Sequence, residues 1–347
     1  DRSLVGSEMC IRDRNVLIEH NKEFSLHCNI KNNFKVFYYT TTGWMMWNWL
    51  VGALSSGSSL FLYDGSPTYP SKDSLIKFCS RENINLFGVS AKYIDFLKKE
   101  NFNFNKLKLP ELKIIASTGS PLVKECFEYV YKNIKKDVHL TSISGGTDVV
   151  GCLVLGNIFS KVYAGEIQGE SLGIDVDIFD ENGKKVSKNK KGELVIKKPF
   201  PTMPIKFWND PKNKKYKNAY FTKYKNIWHH GDFIQKTKNG GFIIYGRSDA
   251  TLNPGGVRIG TAEIYRQVEK INFIRESLVV GQEKDGDVKI LLFVVMNNKN
   301  KLSDSDINFI KKKIKKDCSP KHVPHKVIKI EEIPRTKSGK IVELAVK

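Results

Sequence analysis

The sequence predicts an α/β chain: a parallel sheet with crossover helices, an antiparallel β section, and a small α+β unit at the C-terminal end. Three observations predict it. First, β-rich runs between residues 34 and 142 alternate with helical patterns and begin every 25 to 28 residues. A β–α unit of that length needs a crossover connection, and crossovers join parallel strands. Second, the texture changes after Gly151, where strand runs are separated by turn dipeptides. Third, the segment from about Asp249 onward reads helix, strand, strand, helix, strand.

The elements follow in order. Asp1–Arg14 shares none of the Lys/Asn bias of the rest, resembles translated adapter sequence, and is set aside as non-native. The parallel strands are expected at Phe34–Tyr39, Ser59–Tyr63, Asn85–Val89, Lys113–Ser117 and Val138–Ser142. Ser71–Glu82 places Leu75, Ile76, Phe78 and Cys79 at helical spacing, with Ser71 as N-cap. Pro121–Ile134 is expected to be a helix with proline in its first turn. The antiparallel runs are Gly173–Phe179, Glu193–Lys197, Trp228–Ile234 and Phe242–Tyr245, with turns at Asn182-Gly183, Lys191-Gly192 and Asn239-Gly240-Gly241. The last unit is Thr261–Glu269, Ser277–Gly281, Val288–Met296, Asp304–Lys316 and Lys326–Ile330. Domains are expected at 15–247 and 248–347.

The chain has 347 residues, with 57 Lys+Arg against 37 Asp+Glu, a net charge of +20. Such a charge suits a nucleic-acid binder. The lysines are scattered over helix faces and turns, however, and the dense run Lys311–Lys316 reads as the solvated side of an amphipathic helix. A site for a small polyanion explains the charge as well, and no nucleic-acid partner is expected. No apolar run approaches the roughly 20 residues of a membrane span, so no membrane partner is expected. The six cysteines lie at no metal-ligand spacing, as buried thiols in a reducing cytoplasm would. His322 and His325 have Pro324 between them and no further ligand nearby, so no zinc is expected there.

In an open parallel sheet, ligands bind beyond the carboxyl ends of the strands. Thr40–Trp44, Thr118–Pro121 and Ser144–Asp148 follow the first, fourth and fifth strands, so all three meet at that edge. Each alone is an ordinary strand-to-helix turn; their shared edge points to a ligand. Thr147 offers a hydroxyl to a phosphate, and the Asp148 carboxylate can hold Mg²⁺. Asp232, after the tight Gly231, can take both hydroxyls of a ribose. Arg247 suits ribose oxygens and Arg258 a phosphate, because a guanidinium forks onto such groups. Lys340, after Ser338-Gly339, can carry a point charge to a reacting phosphate.

In this order these segments resemble the adenylate-forming family of acyl-CoA synthetases. The stretch Gly246–Ile264 and the ending Ser338–Lys340 carry most of the likeness, which covers residues 15–347. The runs 41–49 and 248–265 resemble the branch acting on acetoacetate. The resemblance implies an acid–thiol ligase using ATP, CoA and Mg²⁺, with acetoacetate, ATP and CoA as small-molecule substrates. Gly119, Ser120 and Pro121 would line adenine. Ser144, Gly145 and Gly146 would bind the nucleotide, Thr147 would hold the α-phosphate and Asp148 the Mg²⁺. Asp232 and Arg247 would bind ribose, and Asp249 would be a hinge. Gly256 would border the pantetheine, and Arg258 and Lys340 would meet the phosphate during adenylation. Trp44, Met45, Met46 and Gly145 would line the acyl pocket. Where acetate-activating members place a closing Trp, this chain has Gly145, so Gly145→Trp is expected to favour acetate. The alternatives are a CoA ligase for another short or medium acid and a non-catalytic nucleotide-binding fragment. The family's Gly/Ser/Thr-rich phosphate loop is not found in the sequence, so the chain is expected to be a piece cut at both ends and inactive as it stands.

Overall fold

The computed structural model describes residues 9–11, 13–254, 257–284, 287–297, 301–335, 343 and 346. The chain divides into two compact units. One comprises Asp1–Lys190, Leu194–His230 and Lys236–Ile243; the other comprises Lys191–Glu193, Gly231–Gln235 and Ile244–Lys347.

The first unit opens with a short strand β1 (Met9–Cys10) and helix α1 (Asp13–Lys22), which continues as a wider turn over Glu23–His27. Then come β2 (Lys35–Tyr38), α2 (Met45–Gly52), β3 (Ser59–Phe61), α3 (Ser74–Glu82), β4 (Leu86–Ser90), α4 (Ala91–Lys99), β5 (Ile114–Thr118), α5 (Lys124–Tyr129) and β6 (His139–Ser142). The five strands β2 to β6 form one all-parallel sheet in the order β3-β2-β4-β5-β6. The expected α/β class and all five expected strands are therefore present. Alternation along each strand explains why helices cover both faces. Phe37, Phe87, Val89 and Ile115 join Leu75, Ile94, Leu97 and Phe127 in one apolar cluster. Val36, Tyr38, Leu86 and Ile114 join Phe24, Met46, Trp49 and Leu50 in another. A parallel sheet buried on both sides needs such near-continuous apolar runs.

Two helix starts differ from the sequence expectation. Helix α3 begins at Ser74, not Ser71, because Ser71 closes a turn in which the Ser74 hydroxyl donates to its carbonyl at 2.6 Å. Helix α5 begins at Lys124, three residues after Pro121, and Val123 is still extended (φ −77°, ψ 155°).

After β6 come β7 (Ser144–Gly146), β8 (Gly151–Leu155) and β9 (Gly169–Glu170), an antiparallel three-stranded sheet. A four-stranded sheet holds β10 (Val176–Phe179), β11 (Lys191–Ile196), β13 (Trp228–Lys236) and β14 (Phe242–Arg247) in that order. Lys191-Gly192, expected as a turn, instead opens β11. The reversal falls earlier, at Asn189, which has φ 65°. A strand β12 (Lys206–Phe207) pairs with β1, and α6 (Lys214–Tyr220) follows it.

In the second unit, α7 (Thr261–Val268) precedes the antiparallel pair β15 (Ile274–Lys284) and β16 (Asp287–Met296). Then α8 (Asp304–Asp317) crosses to β17 (Lys326–Lys329), which is parallel to β16. Ile264, Val268, Ile310 and Ile314 pack on Val279, Leu292 and Val294, so both helices cover one sheet face. Ser303 caps α8: its Oγ accepts the Asp306 N–H at 3.2 Å, and Asp306 Oδ2 accepts the Ser303 N–H at 3.0 Å. Ser303→Ala is expected to cost about 1 kcal/mol in urea unfolding; an unchanged midpoint would show the cap to be idle. Among the described residues no helix is long and apolar enough to cross a membrane.

Candidate functional site

The first unit brings together three of the predicted loops at the carboxyl edge of its parallel sheet. The chain leaves β2 at Tyr38 and enters α2 at Met45, with Trp44 extended between them (φ −108°, ψ 141°). The Trp44 ring meets Tyr38 edge-on at 6.0 Å. It also borders the loop after β5, since a Cβ placed on Gly119 would lie 3.6 Å from Trp44 Cζ2. Trp44 thus links loops from two strands that β4 separates. Ser120, Pro121 and Met45 are half-buried, whereas Met46 is enclosed in the apolar cluster with Phe24 and Trp49.

Ser144–Asp148 is not the strand-to-helix turn that its pattern suggests. Ser144, Gly145 and Gly146 form β7, which folds back on β8 with Gly145 opposite Cys152 and Gly146 opposite Gly151. Thr147–Val150 is the connecting turn, closed by the Val150 N–H on the Thr147 carbonyl at 3.3 Å. A Cβ on Gly145 would lie 2.0 Å from the Gly151 carbonyl oxygen and 2.8 Å from Cys152 Cα. Glycine is required there because two backbones approach closely, a reason for Gly145 that stands beside the expected one, an absent side chain that opens an acyl pocket. Asp148 is half-buried within the same turn. Its Oδ1 fills the space before Gly146, where a Cβ would come within 1.9 Å, and its Oδ2 accepts the Tyr220 hydroxyl at 2.9 Å. His230 Nδ1 lies 3.9 Å from the same oxygen.

The second unit brings together Asp232 and Arg247. Asp232 is buried on β13 and its Oδ1 accepts Arg247 Nη1 at 3.2 Å. Gly231 has φ 85°, and a Cβ there would press on Arg247 Nη2 at 2.6 Å. The Ser248 N–H donates to the Gly231 carbonyl at 2.8 Å, which fixes the chain after Arg247. Asp249 follows, exposed, with Oδ1 at 3.7 Å from Arg247 Nε. Arg258 is held differently. Its guanidinium stacks 4.5 Å from the Phe233 ring centre and pairs with the fully buried Glu193, which also accepts the Ser248 hydroxyl. Gly256 and Lys340 lie outside the described residues.

Sequence reasoning missed three groups here. Tyr220 sits in a Lys-rich run, but its four-residue spacing from Tyr216 marks one helix face, and both are buried. His230 carries no signal in sequence beyond standing two residues before Asp232. Glu193 is a carboxylate set beside the buried Leu194 and Val195 in a strand, and such a position demands a cationic partner. The described residues contain no group of three or more His, Cys, Asp or Glu able to hold a metal unaided.

Comparison with known proteins identifies the family. The model of the family described as AMP-binding enzyme matches residues 15–204. An acetoacetyl-coenzyme A synthetase of Rhizobium meliloti (strain 1021) is 51% identical over 332 residues, covering 95% of this chain and 51% of that protein. The acetoacetyl-CoA synthetase of Gallus gallus is 45% identical over 334 residues, covering 95% of this chain and 50% of its own. The chain thus spans about half the length of the curated relatives it matches. Among solved structures, acetoacetyl-CoA synthetase from Streptomyces lividans superposes with a TM-score of 0.89 at 40% identity, over 96% of this chain and 51% of that one. An anthranilate CoA ligase with anthranoyl-AMP shares the fold at 16% identity and a TM-score of 0.81. With more than half its length matched by the family, the chain belongs to the AMP-binding enzymes.

Proposed function

We propose that this chain supplies the nucleotide-binding turns and the C-terminal unit of an ATP-dependent acid–thiol ligase that converts acetoacetate, ATP and CoA to acetoacetyl-CoA, AMP and pyrophosphate. The observation that carries the reading is its likeness, across nearly the whole chain, to the synthetases named above. Each unit, taken by itself, carries suitable groups. The Asp232 carboxylate can accept both ribose hydroxyls while Arg247 steadies it, and Gly119–Pro121 with Trp44 offers a wall for adenine. The Thr147 hydroxyl can donate to the α-phosphate.

The chemistry needs two steps. A carboxylate oxygen of the acid attacks the α-phosphorus and pyrophosphate leaves, giving an acyl-adenylate. The CoA thiol then attacks the acyl carbonyl and AMP leaves. Lys340 and Arg258 would offset phosphate charge in the first step. Mg²⁺, which takes one or two carboxylates plus phosphate oxygens, fits the single half-buried Asp148, and when bound it supplies charge compensation. The segment 248–347 would turn about Asp249 between the steps and bring Gly256 to the pantetheine. Free buried thiols at Cys28, Cys79, Cys126 and Cys152 suit a cytoplasmic enzyme.

Pyrophosphate release from Mg·ATP, measured with acetoacetate, acetate, butyrate and 3-hydroxybutyrate, tests the reading. Acetoacetate should give the highest rate. A higher rate with another acid would make the protein a ligase for that acid. Binding of Mg·ATP with no release from any acid would leave a nucleotide-binding fragment.

A further inference from the structure

The turn Thr147–Val150 contains an uncommon backbone. Val150 has φ 46°, in the left-handed region that β-branched residues avoid. Such a conformation persists only where surrounding contacts over-determine it. The contacts come from behind the turn, from α1 and its extension. His20 Nε2 lies 2.7 Å from the Val150 carbonyl oxygen, and the ring nitrogen must donate there because a carbonyl can only accept. Glu23 Oε1 accepts the Cys152 N–H at 2.7 Å, and His27 Nδ1 lies 2.8 Å from the Gly156 carbonyl. Residues 20, 23 and 27 share one helix face, so one buried polar row grips the turn, β8 and the residue that follows β8. His20 is fixed from its other side by α2, where a Cβ on Gly52 would come within 2.3 Å of Nδ1. His20 and Glu23 are buried, at 1% and 0% exposure, so neither can touch a ligand directly.

We propose that His20 is a positioning residue. By holding the Val150 carbonyl it keeps the turn in the strained form that presents Thr147 and Asp148 to nucleotide phosphates. The proposal rests on the reading of that turn as a phosphate and metal site. Its signature is selectivity: loss of His20 should weaken binding through the phosphates and leave the nucleoside contacts of Gly119–Pro121, Asp232 and Arg247 alone.

The test compares Mg·ATP and adenosine binding by calorimetry, with hydrogen exchange over residues 147–152, on the full chain. His20→Phe should weaken Mg·ATP about tenfold, the size of one lost buried hydrogen bond, leave adenosine unchanged, and speed exchange in the turn. His20→Gln, which retains a donor, should recover most of the affinity. Val150→Gly, which removes the strain, should rescue His20→Phe. Equal weakening of both ligands, unchanged exchange over 147–152, or no rescue by Val150→Gly would overturn the proposal. The underlying site reading fails separately, if Asp148→Asn leaves Mg·ATP affinity unchanged or the wild-type chain binds none. In that event the exchange data decide alone: faster exchange relieved by Val150→Gly sustains the control of the turn by His20, and unaltered exchange overturns it.

Discussion

Gly145→Trp is expected to destabilise the chain by more than about 3 kcal/mol and to abolish Mg·ATP binding, with no gain in acetate use. The reason lies at the first added atom. The Gly151 carbonyl oxygen and Cys152 Cα stand 2.0 and 2.8 Å from where the Cβ would be, and both are backbone. A flexible side chain could swing aside; a strand held in a sheet on both flanks cannot do so cheaply. The β7–β8 pairing would open, and Thr147 and Asp148 would lose the hairpin that carries them. Gly145→Ala separates this account from the pocket-wall reading. A methyl group is too small to close an acyl pocket, so that reading predicts little change, whereas the backbone clash predicts that Ala already causes much of the loss. Urea unfolding of both variants measures it. If Gly145→Ala is as stable as wild type and Gly145→Trp turns the preference toward acetate, position 145 faces the acid after all.

The contrast shows what could be read from the sequence. Periodicity placed all five parallel strands, because residues buried on both faces leave uninterrupted apolar runs such as Ile114–Ala116. The chemistry-bearing types also stood out: Asp232 and Arg247 were paired in advance and do meet. Direction was not legible. A glycine in sequence does not say which way its absent side chain would point, and only the register of Gly145 against Cys152 fixes that. Helix starts shifted for a similar reason, since Ser71 satisfied its carbonyl within a local turn and left the helix to begin at Ser74. The polar row at 20, 23 and 27 was overlooked because β8, its partner, lies about 130 residues away. In sequence, a helix carrying two histidines and two glutamates looks solvated. In the fold, Glu19, His20, Glu23 and His27 are all buried.

That burial makes stability depend on pH. Glu23 is fully enclosed, and desolvation, with the Glu19 carboxylate beside it, pushes its carboxyl from 4.5 up to about 8; the Lys22 ammonium and the Cys152 N–H oppose this only in part. An acid whose folded value is raised holds its proton in the native state after the unfolded chain has released it. Stability from this group is therefore complete below about pH 4.5, declines as pH rises to about 8, and stays low beyond. The total decline is on the order of a few kcal/mol, with no solvent to screen it. Three histidines slope the other way. Burial lowers His20, His27 and His139 below the usual imidazole value, so they disfavour the fold only as pH falls below about 6.5. Buried thiols such as Cys28 are pushed up from 9.0 and matter only in more alkaline solution. The interval from pH 6.5 to 8 thus leaves carboxyl groups as the source of any slope, Glu23 first among them; burial also raises Glu343. Across it the wild-type chain should lose stability in urea unfolding as pH rises. Glu23→Gln cannot ionise. It turns an amide N–H₂ toward either the Cys152 N–H or the Trp49 indole, which now donate to the two carboxyl oxygens at 2.7 Å each, so it should be less stable at pH 6.5. Its slope should nonetheless be clearly shallower, because the loss of a hydrogen bond does not depend on pH and the ionisation does. Parallel slopes for the two proteins would mean that Glu23 is already ionised at pH 6.5, with its charge carried by those two donors and Lys22.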